Sequence, residues 1–404
     1  MSMHVNREQT EKVPLMTTGT AVLFAAAAGL AIGNLYWAQP LLAMIADDFG
    51  VPVSSGGFLV TATQIGYALG IFFFVPLGDA VSRRTLVGIT MGVTSMALLL
   101  CAWAPGFSML AMALGLLGLV TVVGQILLPM AGDLAAADDR GRIVGIVTSG
   151  ITGGILFARF ISGFVADGIG WPGLYIGAAV INAIVTVIMM RVLPHEKRRA
   201  SLSYPRLLWD VFGAVKRNPK SLQLLTYTGL GFGISFNIFW TVLTYVLAEA
   251  PYHYSPFQIG LVSLTSLVGA IAGIGIGRLQ DKGYGHTALG VSFALSAAIL
   301  ALAAYVHNSI IAILIVAAVF ALAIQGICVL VQSELFALSD TERSRLNTAL
   351  VVSNFMFAAG GSLLSTWLWN HGGWPLAVGG ASLASFIGLI LWWFWHKKIK
   401  IFSK

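Results

Sequence analysis

Arg159 is the residue with the most to explain. It sits inside the apolar run 143 to 166, 16 residues past Ile143. At ~1.5 Å of rise per residue that is ~24 Å along a helix, beyond the middle of a bilayer. An arginine at that depth costs at least a few kcal/mol unless it snorkels, pairs or faces water. Thr148, Thr152, Arg159 and Ser162 recur at helical spacing and draw one polar stripe. The stripe suits the wall of a wet cavity; outward snorkelling and a structural ion pair are the alternatives. No Asp, Glu or His lies near the middle of any apolar run. A cationic compound would find no counter-charge there, so the chemistry on offer is recognition of a neutral or anionic one.

Enzyme chemistry finds no footing. The seven histidines, His4, His195, His253, His286, His307, His371 and His396, fall in polar breaks or at the ends of apolar runs. There is no His/Glu metal pattern, G-x-S-x-G elbow, ATP-binding loop or paired carboxylate at membrane depth. Cys101 and Cys328 stand alone in apolar runs and read as small hydrophobes. No cofactor or metal is expected.

The elements that must position Arg159 follow from composition. The 404 residues are 57% apolar and 10% charged, against about 25% charged in a soluble fold. A cytosolic enzyme or a disordered chain is excluded on that ground. A crossing takes ~20 apolar residues, and the chain offers twelve such stretches: 17 to 46, 54 to 76, 85 to 103, 108 to 135, 143 to 166, 172 to 193, 221 to 248, 256 to 277, 286 to 305, 309 to 335, 347 to 369 and 374 to 396. With the N-terminus inside, all but Arg159 of the 23 Lys and Arg fall on the inner side, while the outer loops hold only the acids Asp47, Asp48, Asp167 and Glu249. That asymmetry fixes count and orientation together. It also explains the net charge of +7 without a nucleic-acid partner. The first stretch lacks the short core and cleavage site of a signal peptide and is expected to be retained.

The second half repeats the first at an offset of 203 residues. Asn34 and Trp37 fall on Asn237 and Trp240, Gly57, Gly66 and Gly70 on Gly260, Gly269 and Gly273, Arg140 and Arg142 on Arg343 and Arg345, and Gly170-Trp171-Pro172 on Gly373-Trp374-Pro375. Six crossings per half give both halves the same direction, so their pseudo-two-fold axis runs along the membrane normal and a site between them is expected. The fold expected is an all-α membrane protein of two six-helix bundles: tail 1–16, bundle 17–193, linker 194–220, bundle 221–396, tail 397–404. In the linker, Leu207, Leu208, Val211, Phe212 and Val215 mark an amphipathic surface helix, suited to lipid headgroups or to a regulatory partner.

The helix count, the parallel repeat and "PLGDAVSRR" after the second stretch together resemble the major facilitator superfamily, over the whole chain. "QPLLAMIADDFGV", "TATQIGYALG", "PLGD…RR" and "RSRLN" are similar to its drug:proton antiporter branch and a poorly characterised subgroup of it. The resemblance implies a gate on the inner side in which Asp79, Arg83 and Arg84 reach Asp133, with Asp281, Lys282 and Glu334 as counterpart. Ordinary solvated loop charges are the alternative. It also implies cavity-lining residues: Asn34, Tyr36 and Trp37 on helix 1, Gln64 and Tyr67 on helix 2, Gln125 on helix 4, Thr152 and Arg159 on helix 5, Asn237, Trp240 and Thr241 on helix 7, Gln325 on helix 10. Aromatic faces beside amides suit flat or amphipathic solutes, although buried amides also glue helices together. Pro129 is expected to kink helix 4. Gly269, Gly273 and Gly277 read as close helix packing. The sequence departs from the family pattern in places. Val75 stands where the first loop motif has glycine, "SGITGGILFARF" lacks the antiporter glycine-proline pair, and Leu114 stands where an arginine is common.

What the resemblance implies is a secondary transporter working by alternating access; a receptor would need no duplicated halves. The leading expectation is proton-coupled efflux of a neutral or anionic amphipathic compound, and the second is import or facilitated passage of a small organic carboxylate. Coupling through protons would use Asp47, Asp48, Asp133, Glu334 or a titrating substrate. The chain is expected to act as a monomer in a bacterial cytoplasmic membrane, both termini inside.

Overall fold

The computed structural model describes residues 16–194, 203–339 and 341–402. The tail with His4, Arg7 and Lys12, and the linker's His195, Lys197, Arg198 and Arg199, lie outside them. Every regular element among the described residues is a helix.

Among the described residues nine helices are long and apolar enough to cross a bilayer, and two of them, Arg140–Val192 and Arg343–Trp395, run 53 residues each. At ~1.5 Å per residue each is ~80 Å long, more than twice a hydrocarbon core of ~30 Å. Each is a pair of crossings folded back at a glycine: Gly170 has φ +76° and Gly373 φ +57°, a region that L side chains avoid. The Gly-Trp-Pro repeats therefore mark the same turn in both halves. Thr18–Gly33, continued by Leu42–Asp48, completes the set of twelve. We number them α1 (Thr18–Gly33 with Leu42–Asp48), α2 (Val53–Ala80), α3 (Arg83–Ala102), α4 (Phe107–Leu134), α5 (140–169), α6 (171–192), α7 (Pro219–Ala248), α8 (Pro256–Asp281), α9 (Gly285–Ala303), α10 (Ile310–Phe336), α11 (343–371) and α12 (374–402). The linker helix is Tyr204–Arg217.

Lipid tails are as apolar as leucine, so the helices are held by close packing and by polar contacts rather than by the hydrophobic effect. Ile89 and Met96 on α3, Ile184 on α6, Val291 on α9 and Phe394 on α12 remain exposed and form the lipid belt. Within the first half, α1 packs on α5 and α2 on α4. Within the second, α7 packs on α11 and α8 on α10. Small residues set the spacing: a Cβ on Gly154 would lie 2.1 Å from Gly29 O, so no larger residue fits between α1 and α5. The repeat is visible in this packing too. Gly66 and Gly70 of α2 meet Gly115 and Leu119 of α4, and Gly269 and Gly273 of α8 meet Ala321 and Gln325 of α10.

Between the halves, α2 packs on α11 and α5 on α8. These seams are tightest toward the acidic end. A Cβ on Gly57 would lie 2.0 Å from Thr366 Oγ1, and one on Gly163 would lie 2.2 Å from Pro256 O. Asp167 of α5 accepts from Ser255 Oγ at 2.6 Å and from Phe257 N at 3.4 Å at the start of α8, a carboxylate against a helix N-terminus. The opposite, basic end is looser. A cleft of about 520 Å³ counting its mouth opens there between the halves, lined by Val75, Asp79 and Arg83, by Gln125 and Pro129, and by Arg345 and Thr348.

Two sequence expectations need correction. The interruption of α4 falls at Thr121–Val122, between Phe107–Val120 and Val123–Leu134, and Pro129 sits inside the second piece. The linker helix does not spend its apolar face on lipid alone. Leu207, Val211 and Ala214 are buried, with Leu207 and Val211 roofing the cleft; Trp209 and Phe212 stay exposed.

Candidate functional site

The first helix of each half is irregular, at adjoining rather than equivalent positions of the repeat. In α1 the helix gives way at Asn34 to a turn and a short 3-10 segment, Gln39–Leu41. In α7 the segment Gly229–Phe236 is π-helical, a geometry that concentrates at functional sites. Backbone carbonyls freed by these irregularities must find donors. Asn237 Nδ2 supplies them in α7, bonding Gly233 O at 2.9 Å and Phe232 O at 3.2 Å. In α1, Thr121 Oγ1 donates to Ala31 O at 2.7 Å and receives Asn34 Nδ2 at 3.0 Å.

Between the two irregular segments lies Arg159. Its side chain is buried, 1% exposed, so the snorkelling alternative fails, and no carboxylate pairs with it among the described residues. Its Nε donates to Gln39 Oε1 at 2.8 Å. Three rings surround the guanidinium, with centroids 4.7 Å (Trp240), 4.9 Å (Tyr36) and 5.4 Å (Phe236) from Cζ. Burying an ion costs several kcal/mol even after relaxation, and a desolvated cation–π contact returns about 2 kcal/mol. Rings and amide offset that cost without neutralising the charge. Tyr36, Gln39 and Arg159 come from the first half and Phe236 and Trp240 from the second, so the cage straddles the junction. Backbone contact reinforces it: a Cβ on Gly260 of α8 would lie 2.7 Å from Arg159 O.

Several polar atoms in this region have no protein partner. They are Gln39 Nε2, Arg159 Nη2, Trp240 Nε1, Thr241 Oγ1 and, on α2, Gln64 Oε1. Gln64 otherwise bridges the halves through Nε2 to Asn237 Oδ1 at 3.1 Å. A ladder of rings runs from the cage to the cleft. Phe236 stacks on Phe232 at 5.0 Å, Phe232 meets Phe355 at 6.3 Å, and Phe355 meets Tyr67 at 4.5 Å. Gln125, in the cleft wall, donates to Tyr67 OH at 3.5 Å.

Of the residues expected to line a cavity, the structure thus brings together Tyr36, Arg159 and Trp240, with Gln64 and Asn237 joined to each other and Tyr67 joined to Gln125. Trp37 and Asn34 are bonded to one another, Nε1 to Oδ1 at 2.8 Å. Gln325 packs over Gly273 and no contact ties it to the cage. Thr152 is half-buried on α5. Sequence reasoning missed Gln39, Phe236 and Phe355: the two phenylalanines carried no signal of their own in apolar runs, whereas Gln39, an amide inside the run 17 to 46, was the same kind of signal as Gln64 and went unused. Of the gate residues, Arg83 Nη1 meets Asp133 Oδ2 at 2.8 Å and Arg83 Nη2 lies 3.8 Å from Asp79. Arg84 donates to Leu193 O at 2.9 Å and to Met190 O. The counterpart set does not assemble: Glu334 takes Lys220 at 2.5 Å, and Asp281 and Lys282 make no ion pair among the described residues.

Comparison with known proteins agrees with this architecture. The sequence profile of the Major Facilitator Superfamily matches residues 23–338. The chain belongs to that superfamily. It is 37% identical over 375 residues to an uncharacterized transporter, YgaY, of Escherichia coli O157:H7, covering 92% of this chain and 94% of the relative. It is 32% identical to a probable transporter of Streptomyces coelicolor, covering 94% and 86%. Among solved structures, the nucleoside transporter NupG superposes with a TM-score of 0.70 at 15% identity, covering 92% and 99%. The human organic anion transporter MFSD10 does so with 0.67 at 13%, covering 93% and 100%; at such identities the likeness is one of fold. This major facilitator is therefore a multi-pass membrane transporter, and its cage lies where its two bundles meet.

Proposed function

We propose that the protein exports an amphipathic organic compound, neutral or anionic, from a bacterial cytoplasm in exchange for protons. The observation that carries the reading is Arg159, a buried cation without a carboxylate partner at the seam between the halves. Rocking one half against the other would separate Tyr36, Gln39 and Arg159 from Phe236 and Trp240, exposing the cage to each side in turn. The basic loops place the cleft on the cytoplasmic side, so the conformation described is closed outward and partly open inward. In it Asp79 and Arg83 line the cleft and Asp133 holds Arg83 from behind, a cytoplasmic gate in our reading, and Asp167 on the start of α8 is the matching outward lock. Asp281, Lys282 and Glu334 have no part in the gate as we draw it. Export by a single chain of the drug:proton antiporter branch, with both termini cytoplasmic, is the full form of the proposal.

The coupling proton has few carriers. Asp48 is taken by Trp171 Nε1 at 2.6 Å, Asp133 by Arg83 and Glu334 by Lys220, and each lies at an end of the molecule. A titrating substrate fits better. That same feature supports a second reading, import of a small organic carboxylate. Everted vesicles with an acid lumen decide between them. A weak acid distributes passively away from an acid lumen, so accumulation of labelled hippurate there, abolished by a protonophore, supports export. Uptake by whole cells with no such accumulation supports import and removes the first reading.

A further inference from the structure

Within the cage itself, Gln39, Arg159 and Trp240 each keep a partnerless nitrogen, while Thr241 Oγ1 and Gln64 Oε1 belong to side chains outside it. An arginine has no acceptor, so the Gln39 amide must turn its oxygen toward Nε, as it does at 2.8 Å. That orientation commits Gln39 Nε2 to be a donor facing elsewhere. Arg159 Nη2 and Trp240 Nε1 are donors by constitution. All three nitrogens are buried without a protein partner, and Gln39 and Trp240 each touch Arg159, all three side chains being at least nine-tenths buried. We propose, on the basis of the transporter reading above, that Gln39, Arg159 and Trp240 form a receptor for the carboxylate of a flat, apolar monocarboxylic acid. Gln39 acts as the positioning residue that fixes the guanidinium.

The alternatives fail on charge and on count. A water molecule accepts from one or two of these donors and leaves the cation unneutralised. A carboxylate offers two oxygens with about four lone-pair sites, takes several donors at once through short charge-assisted bonds, and supplies the missing negative charge. A phosphate dianion would bring a second charge for which the cage holds no second cation. A quaternary ammonium would meet a like charge. The rest of the ligand is set by the walls. Tyr36, Phe236 and Trp240 present ring faces, and the ladder of rings toward the cleft extends them, so the body that fits is aromatic or flat rather than sugar-like.

The test uses the purified full-length chain in detergent and, in parallel, in liposomes. Benzoate, indole-3-acetate and hippurate are expected to raise the melting temperature by about 3 °C or more at concentrations well above Kd, with benzyl alcohol and benzyltrimethylammonium inert. Gln39→Glu gives Arg159 an internal counter-ion. It is expected to melt higher than the natural chain when unliganded and to lose the carboxylate-induced shift. Trp240→Phe keeps the ring and removes one donor, and is expected to weaken carboxylate binding about tenfold, the size of one bond to a charged group; it serves as well should Gln39→Glu not fold. Equal shifts from benzyl alcohol, a retained shift in Gln39→Glu with unchanged affinity in Trp240→Phe, or no shift from any of the three acids would each overturn the proposal. Labelled hippurate counterflow in liposomes separates it from the reading beneath it. Carboxylate-selective binding with no exchange above protein-free liposomes sinks the transporter reading and leaves the site, whereas exchange indifferent to Gln39→Glu sinks the site and leaves the transporter.

Discussion

Trp37 and Trp240 occupy equivalent positions in the two halves, three residues after equivalent asparagines, and they end in opposite states. Trp37 Nε1 bonds Asn34, Asn34 bonds Thr121, and Thr121 closes the chain on Ala31 O. Every donor in that first-half network is used. In the second half Asn237 is spent on the carbonyls of the π-helical turn and on Gln64, and Trp240 Nε1 is left without a partner beside Arg159. Duplication made two copies of one joint; one copy has been sealed as structure and the other keeps open valences. The difference teaches where to look in a duplicated transporter, since a hydrogen bond left unmade in a dry interior costs about 1–3 kcal/mol and survives only where something collects on it.

The sharpest break of that contrast is Arg159→Gln. It is expected to lower transport about 100-fold, the loss of bonds to a charged group worth about 3 kcal/mol, while leaving the melting temperature unchanged or higher because an unneutralised charge is gone. A matched fall in both quantities would mean that Arg159 is structural. Next comes the tryptophan pair. Trp240→Phe should weaken substrate binding about tenfold with little change in stability, and Trp37→Phe should do the reverse, destabilising by about 1 kcal/mol with transport preserved. The melting curves and initial rates of the two variants, measured side by side, test the asymmetry directly.

Arg159 was legible in the sequence because lipid makes a charge at membrane depth rare, and rarity shows in one dimension. The repeat and the twelve crossings were legible for the same reason: the bilayer enforces length and charge asymmetry. The partners of Arg159 were not. Gln39 is 120 residues away, and helices that are apolar nearly all round carry no periodic signal of which face turns inward. Neither the break at Thr121 nor the π-helical turn in α7 falls at a proline, and Pro129, the residue whose chemistry advertised a kink, lies inside a helical piece. The counterpart gate failed on register. Glu334 lies 201 residues after Asp133 rather than 203, and two residues turn a side chain ~200° about a helix. The true equivalent of Arg83 is His286, whose ring accepts from Trp392 Nε1 at 3.1 Å.

The gate we propose therefore rests on the first half alone, and that is the next contrast to test. Exchanging its charges with Arg83→Asp and Asp133→Arg together is expected to restore most of a several-fold loss of transport seen in either single variant, because the pair is half-buried and its partners sit at 2.8 Å. No recovery in the double variant would count against a direct contact. The corresponding substitutions Asp281→Asn and Lys282→Gln are expected to change transport by less than about twofold, the ordinary effect of exposed charges.

The smallest effect is expected where the two halves are tied by the linker. Tyr204 OH donates to Phe73 O at 2.8 Å in α2, and burial holds the phenol above its ordinary pKa, so it remains a donor through neutral pH. At the other end of the same helix Asp210 accepts from Arg345 at 2.7 Å and Arg217 at 2.8 Å, and Arg217 reaches Glu342. The helix thus fastens the first half to the second across the cleft, and inward opening must stretch one fastening. The Tyr204 bond is single and uncharged, worth about 1 kcal/mol, whereas the Asp210 cluster is a network. Tyr204→Phe should release the helix first, raising turnover at saturating hippurate by about twofold with no change in apparent affinity. An unchanged rate together with a lowered melting temperature would show that the linker helix only braces the fold, and that the cleft opens without moving it.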